Sequence, residues 1–580
     1  MADLTNSQIA AAFEELADLY ELDGAVQYRV IAYRNAARTV RDSSVSVMQL
    51  ARDGRVTELP GIGKTLEEKL VALDQTGDIP AAVKLRDRIP VGLVSVMHLP
   101  GFGPKRAKRL YDEIGVDSLD ALRAAVEDGS LRELRGFGLK AEENLRRVLT
   151  EHQEDGPARR VVLWRAVEAA EQVVEALRAH PAADRVEAAG SLRRWTDSVK
   201  DIDVIATASD PAALAQALTE LEIVESVGNT GTAGARVTTH SGLKIDLKVV
   251  EPDQFGNVLQ HFTGSKAHNV ALREAAVRRG LHVSEYGILG DATGETLRCA
   301  TEEEVYAALG LEWIAPELRE GRGELEAAAP TGAGLPDLIE LGDLRGDLHS
   351  HTTMSDGTLT AEEMAQAARE LGLEYLAITD HSATHGFGDH VTADQLRARI
   401  DEIRALNDRL DGFELLIGTE TNITTDGSPD YPDELLADLD WVIASIHTSF
   451  GMGARKMTDR LVAAIEHPLV DAIGHPTGRK IEKRQPYELD MDRVIEAAAR
   501  TGTMIEINAS PDRRDLNDIH ARAAAQAGVR ILVNSDAHSL RDFTLRRYGI
   551  ATARRAWLTA EQVANTLPWE QLADLRKRAR

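Results

Sequence analysis

The sequence predicts a multidomain protein of α and α/β type, with a helical N-terminal region, a strand-bearing middle and a C-terminal barrel-like parallel α/β domain. Three observations carry that reading. A chain of 580 residues exceeds what one hydrophobic core serves. A Leu-x-Gly-x-Gly pattern recurs three times in the first 150 residues, within "LPGIGKTLEEKL" from Leu59, "LPGFGPKRAKRL" from Leu99 and "LRGFGLKAEENL" from Leu134. After Gly342, apolar runs of strand length alternate with helical stretches, and each run finishes in acidic, histidine or amide residues.

The N-terminal stretch "MADLTNSQIAAAFEELADLYEL" has the spacing of an amphipathic helix and lacks the basic and apolar regions of a secretion signal. Each Gly-x-Gly copy then follows an apolar helical segment and opens another helix with a lysine in or just after its first turn. The groups concerned are Gly61, Gly63 and Lys64, then Gly101, Gly103 and Lys105, then Gly136, Gly138 and Lys140. Glycine permits positive φ, and the new helix's N–H groups face outward where a phosphate can accept from them. That is the logic of a helix-hairpin-helix, which grips the DNA backbone without reading bases. One copy would be an ordinary glycine-capped turn; three copies point to DNA.

Charge agrees once it is resolved along the chain. The total is −27, yet residues 1–150 carry 21 basic and 23 acidic groups, so the acid lies mostly outside the proposed DNA-binding region. Hydrophobic residues make up 43% and no apolar run approaches a membrane span. The single cysteine, Cys299, excludes an internal disulfide and thiolate metal clusters, and a reducing cytoplasm, at the nucleoid, is the expected compartment. With no long heptad pattern, the expected state is a monomer that binds no membrane.

From Val161 the segment "VVLWRAVEAAEQVVEALRAH" reads as a helix, followed by strands in "RVEAAGS", "DIDVIAT", "ARVTTHS" and "LKIDLKVV". In "AGSLRRWTDSVKDIDVIAT", Asp201 and Asp203 are two residues apart on a strand and so share a face, and Asp246 stands on a second strand that could lie alongside. Converging carboxylates repel unless a cation sits among them, and three can hold two Mg²⁺ or Mn²⁺ ions that activate a 3′-oxygen and steady a leaving pyrophosphate. Gly190 and Ser191 would let backbone amides approach a triphosphate, and Arg194 could pair with its charge. A lone Asp-x-Asp is more often a solvated strand face; the Gly-Ser element at this spacing argues otherwise.

The C-terminal strand ends supply, in order, His349, His351, Asp356, His381, Glu420, His447, His475, Asp536 and His538. Imidazole and carboxylate suit Zn²⁺, Mn²⁺ or Fe²⁺, and such a set can serve two or three ions. Isolated histidines such as His385, His467 or His520 are readily caps or satisfied core groups, but nine ligand types at successive strand ends are not.

Residues 1–320 resemble a family X DNA polymerase, the group that includes DNA polymerase beta. The hairpin motifs, "GSLRR", "DIDV", "KIDL" and "HFTGSKAHNVALREAAVRRGLHVSEYGI" from His261 carry the resemblance. It implies a nucleotidyltransferase palm and a thumb, with Asp201 and Asp203 binding both metals and Asp246 the catalytic one. Ser191 and Arg194 would hold the triphosphate, Phe262 would pack the sugar, and Asn269 and Arg273 would reach the minor-groove side of the nascent pair. Gly190, His261 and Gly264 fall in the same nucleotide site, and His261 stands where vertebrate relatives have tyrosine, which bears on ribonucleotide selection. The N-terminal part, with "IAYRNAARTV" and "LPGIGKTLEEK", is similar to that family's 5′-deoxyribose-phosphate lyase domain. Lys69 falls at the Schiff-base lysine, although Tyr28 and Thr65 stand where the beta enzyme has His and Lys.

Residues 341–580 resemble the PHP domain, a metal-dependent distorted (β/α)7 barrel, through "DLHSHTTMSDG", "ITDHS", "GTETN", "SIH", "GHP" and "NSDAH" in order. The resemblance implies three ion sites: His349, His351, Glu420 and Asp536; Glu420, His447 and His475; Asp356, His381 and His538. Water activated there would attack a phosphoester, with Arg479 and Arg484 as further phosphate contacts. The domains expected are 1–90 (lyase-like, first hairpin), 91–150 (two further hairpins), 151–250 (palm), 251–320 (thumb), 321–340 (a Gly/Ala/Pro-rich linker) and 341–580 (PHP). The function implied is gap-filling synthesis on gapped or nicked duplex DNA with dNTPs, with 3′ to 5′ exonuclease activity from the PHP part, and AP-endonuclease or 3′-phosphatase activity as further options there. The alternatives are a PHP domain that only steadies the polymerase, and a DNA-binding scaffold carrying a small-molecule phosphatase.

Overall fold

The computed structural model describes residues 4–43, 45–99, 103–133, 145, 146, 149, 160–386 and 390–579. The chain divides into two compact units, one of Met1–Val161, Arg165–Ala188 and Lys200–Glu251, the other of Val162–Trp164, Ala189–Val199 and Pro252–Arg580.

In the first unit, the leading helix Asn6–Leu22 starts with a capping box between Thr5 and Gln8 and buries Ile9, Phe13 and Leu16 on one face. The first Gly-x-Gly turn forms as expected. Gly61 takes φ +79°, which an L side chain rarely adopts, and the helix Lys64–Thr76 opens directly after Gly63. The second copy opens the helix Pro104–Ile114 after Gly103, with Gly101 outside the described residues. The third copy, with Gly136, Gly138 and Lys140, also lies outside them.

The same unit contains a five-stranded sheet: β1 (Ala183–Ala188), β2 (Asp201–Ala208), β3 (Val224–Gly231), β4 (Gly234–Thr239) and β5 (Lys244–Val249), in the order β1-β2-β5-β4-β3. Only β2 and β5 are parallel. Sequence reading anticipated four of these strands. It missed β3, whose residues Val224–Gly231 "VESVGNTG" are largely exposed and lack an apolar period.

The second unit begins its main body with helices Phe255–Thr263 and Lys266–Val277 and a small antiparallel sheet of β6 (Leu281–Ser284), β7 (Gly287–Gly290) and β8 (Thr296–Leu297). Its core joins Leu272, Val305, Tyr306, Ile314 and Leu318. The 321–340 stretch, expected as a linker, is partly helical. It contains a helix, Glu324–Ala328, that adds Leu325 and Ala328 to this core, and buried Glu324 accepts the His268 ring at 2.8 Å. Composition signalled a linker because small residues dominate; the few large ones made the contacts.

Seven parallel strands follow: β9 (Gly346–Asp347), β10 (Tyr375–Ile378), β11 (Glu414–Asn422), β12 (Trp441–Ser445), β13 (Ala472–Ile473), β14 (Met504–Asn508) and β15 (Ile531–Asn534), paired in chain order. A parallel bridge between Ser350 and Ala537 brings the two ends of the sheet together, with His351 N–H donating to Ala537 O at 2.8 Å. Both faces are covered, so the strands are continuous apolar runs rather than alternating ones. Tyr375 and Ala377 join Leu416, Trp441, Ala472, Met504 and Leu532 in one core cluster, while Leu376 and Ile378 pack in another with helices such as Ala361–Glu370.

Candidate active sites

On the five-stranded sheet, parallel pairing of β2 and β5 places Asp203 opposite Asp246, with Asp201 two residues before Asp203 on the same face. Arg236, the antiparallel register partner of Asp246 on β4, forms an ion pair with it. Burial, then repulsion from Asp201 and Asp246, pushes the Asp203 carboxyl up to about 6, despite Lys248 and Arg236. Three carboxylates thus share one face, as the spacing predicts, and Arg236 is the contributor that sequence reading missed. A basic residue two positions into a strand beside an aspartate leaves no distinctive signal.

In the second unit, Gly190 takes φ +69° and opens the short helix Gly190–Arg193. Arg193 grips Glu302 through both oxygens, at 3.0 and 2.8 Å, and Thr263 Oγ1 at 2.9 Å. Arg194, expected to meet triphosphate charge, is here committed to Thr263 O at 2.7 Å and Glu320 at 3.1 Å. Asn269 bridges Gln260 Nε2 and His261 O, and Arg273 lies 3.5 Å from His261 Nδ1. Gly264 packs against Asn269, since a Cβ there would come within 2.5 Å of Asn269 Oδ1. His261 and Phe262 are tilted neighbours with ring centroids 5.2 Å apart. In the first unit, the Lys69 Nζ lies over the Tyr33 ring, 5.8 Å from its centroid.

At the C-terminal end of the seven strands, all nine predicted histidines and carboxylates converge. Ligand atoms within 4.8 Å of one another form the groups His351-Asp356-His381-His538, His349-His351-Asp536, His349-Glu420-His475 and His381-Glu420-His447. Glu420 is the hub, with His475 at 2.9 Å, His381 at 2.8 Å and His447 at 3.2 Å. The expected trio Glu420, His447 and His475 also meets, since both rings reach the same Glu420 oxygen, and His349, His351, His381 and Glu420 are each shared between two groups.

The arrangement fits metal ions. His349 Nε2, both ring nitrogens of His351 and both Glu420 oxygens are buried without a hydrogen-bond partner of good geometry among the described residues. Such orphaned polar atoms are costly unless a cation meets them. Burial pushes His351 and His475 down to about 4, so both imidazoles are neutral and able to coordinate. Against burial, Glu420 and Asp356 raise His381 to about 10, and Asp356 and Asp536 raise His538 to about 9.

Two further features were not read from the sequence. Buried Glu506, on β14, receives His349 Nδ1 at 2.7 Å and the His475 backbone N–H at 2.7 Å, fixing the ring that presents Nε2 to the cluster. Its signal was a lone acid inside the apolar run "MIEIN". The cavity of about 290 Å³ beside the cluster is lined by Lys480 and Arg513, not by Arg479 or Arg484. Arg479 is turned to Asp197 at 2.7 Å, and Arg484 donates to Gly478 O and lies over the Phe450 ring. Between Lys480 and Arg484 the chain folds back on itself, which turns these two arginines from the cavity.

Similarity to known proteins joins these two chemistries. The chain is 36% identical over 572 residues, covering 98% of its length and 99% of the relative, to the DNA polymerase/3′-5′ exonuclease PolX of Bacillus subtilis. The chain belongs to the PolX family. Within it, residues 258–320 match the DNA polymerase beta thumb, 4–79 a helix-hairpin-helix domain, 94–151 a SAM-like helix-hairpin-helix tandem and 347–510 the PHP domain. Other relatives match about a third of the chain. A probable phosphatase of Caldanaerobacter subterraneus is 36% identical over 203 residues, 33% of this chain and 75% of that protein. One of Thermoanaerobacter sp. is 32% identical over 231 residues, 38% of this chain and 89% of that protein. No described helix is long and apolar enough to cross a membrane.

Proposed function

We propose that the chain fills short gaps in duplex DNA during repair, using dNTPs, and removes 3′-terminal nucleotides at its PHP barrel. The observation that carries this reading is the presence, in one PolX chain, of a three-carboxylate strand face and a separate buried histidine–carboxylate cluster. Asp201, Asp203 and Asp246 would hold Mg²⁺ or Mn²⁺, and the PHP cluster two or three Zn²⁺, Mn²⁺ or Fe²⁺ ions. Such ions supply activation of the attacking oxygen and neutralise charge on the phosphoryl group.

The chain's own groups divide the remaining work. Gly190 and Ser191 present backbone N–H groups to the triphosphate, while His261, Phe262, Gly264, Asn269 and Arg273 shape the sugar and base side of that site. The Gly-x-Gly turns, with Lys64 and Lys105, grip DNA backbone on either side of the gap. At the barrel, Glu506 orients His349, and Lys480 and Arg513 meet the phosphodiester to be cut. Lys69 is the candidate Schiff-base lysine for 5′-deoxyribose-phosphate removal. The proposed domain limits are 1–90, 91–150, 151–250, 251–320, a linker at 321–340 and 341–580, and the place of action is the cytoplasm, at the nucleoid, as a monomer.

The test is a one-nucleotide-gapped duplex and a 3′-mismatched primer, each incubated with wild type, Asp203→Ala and His351→Ala in Mg²⁺ or Mn²⁺. Asp203→Ala loses extension and keeps degradation; His351→Ala does the reverse. Loss of the same activity in both variants, or normal degradation by His351→Ala, would refute the two-site assignment.

A further inference from the structure

The segment 189–199 carries the Gly190-Ser191 turn, and the barrel holds it at several points. Asp197 accepts a hydrogen bond from Arg479 at 2.7 Å and forms an ion pair with Arg514 at 3.1 Å. Arg514 is almost wholly buried, at 1% side-chain exposure. Arg555, the last residue of the barrel helix Arg546–Arg555, donates to the Arg194 carbonyl at 2.7 Å and pairs with Glu320 at 2.8 Å. Glu320 in turn holds the Arg194 guanidinium at 3.1 Å. Between these grips, Trp195 stands at φ +54° with its ring edge-on to Tyr548, centroids 5.6 Å apart.

A bulky residue at positive φ costs free energy and persists only where its surroundings over-determine it. Here the surroundings are barrel side chains. The ion pairs extend further, since Arg555 reaches Asp518 at 3.0 Å and Asp518 pairs with Arg322 at 2.8 Å. Arg514 Nη1 and Arg479 Nε have no hydrogen-bond partner among the described residues, so opposite charge at Asp197, Asp518 and Glu320 is what keeps these buried guanidinium groups in place, and the segment they enclose is held with them. Arg514 and Arg513 are chain neighbours with opposite duties, one on Asp197 and the other lining the metal cavity.

We propose that Arg514 and Arg555 of the PHP barrel are positioning residues for the triphosphate-binding turn, holding it in its binding geometry before a dNTP arrives. The proposal rests on the reading of Gly190-Ser191 as that turn. A turn already ordered spares the nucleotide the entropy of ordering it, so the brace acts on nucleotide affinity and not on the chemical step. The nuclease barrel thereby has a second role in synthesis, independent of its metals.

The experiment is single-turnover incorporation into a one-nucleotide gap by the full chain, comparing wild type, Arg555→Gln and Asp197→Asn. Asp197 is 43% exposed, so its amide variant is the one least at risk of misfolding. Both variants should bind dNTP about three- to tenfold more weakly, with the maximal incorporation rate and the degradation of a 3′-mismatched primer within about twofold of wild type. Unchanged dNTP affinity in both variants overturns the proposal. So does a parallel loss of affinity, rate, degradation and thermal stability, which would make the arginines merely structural. A wild type that does not extend the gap fails the underlying polymerase reading itself.

Discussion

Asp203 and Asp246 are direct register partners on adjacent parallel strands, so two carboxylates oppose one another with Asp201 beside them. Burial and that repulsion keep the Asp203 proton on up to about pH 6. A divalent ion must displace it, so the Mg²⁺ concentration giving half-maximal gap extension should rise as pH falls from 7.5 to 5.5. The same shift has a stability sign. A carboxyl whose folded pKa is raised costs nothing below its unfolded value near 4 and is destabilising above about 6. Asp203→Asn should therefore stabilise the metal-free protein at pH 8 by roughly 1–3 kcal/mol, with the gain vanishing towards pH 4 in thermal melts. A half-saturating Mg²⁺ that is flat with pH counts against this account.

Metal loading of the barrel should release protons. His381, at about 10, and His538, at about 9, hold theirs in the metal-free chain at pH 7.5, and coordination needs neutral imidazole. Calorimetric Zn²⁺ or Mn²⁺ titration in buffers of different ionisation enthalpy should show net proton release that disappears in His381→Ala/His538→Ala. Proton uptake, or none, would contradict the ion-paired state described for these rings.

Glu506 is fully buried and accepts from His349 and from the His475 backbone. Glu506→Gln should weaken barrel metal affinity by about 10- to 100-fold, the usual effect of losing a carboxylate that orients a ligating histidine. Primer degradation should fall accordingly at limiting metal and recover in excess, while gap extension stays within about twofold. Degradation that remains unaltered at limiting metal would remove Glu506 from this role.

Arg513 lines the cavity with Nη1 buried and lacking a hydrogen-bond partner among the described residues. A charge-assisted hydrogen bond to phosphate is worth about 1.5–3 kcal/mol. Arg513→Ala should accordingly raise the KM for a 3′ end about tenfold or more at unchanged metal content, whereas Arg484→Ala, whose guanidinium lies over Phe450, should not. Equal effects of the two would restore the assignment made from sequence order.

The sequence by itself determined the helical N-terminal region and the C-terminal parallel barrel, the opening of helices after Gly63 and Gly103, the shared face of Asp201, Asp203 and Asp246, and the nine ligand-type residues of the barrel. These are legible because strand parity, glycine's conformational range and ligand chemistry act over a few residues and repeat. Tertiary structure decided the rest. It gathered His381, His447 and His475 around Glu420, turned Arg479 and Arg484 away from the cavity and brought Lys480 and Arg513 to it. It also packed the apparent linker around Leu325, and set Glu506 behind His349, 157 positions earlier in the chain. Each of those outcomes depends on which strand ends meet when the barrel closes between Ser350 and Ala537. No local pattern encodes that closure, because it is fixed by the summed packing of seven strands and their helices.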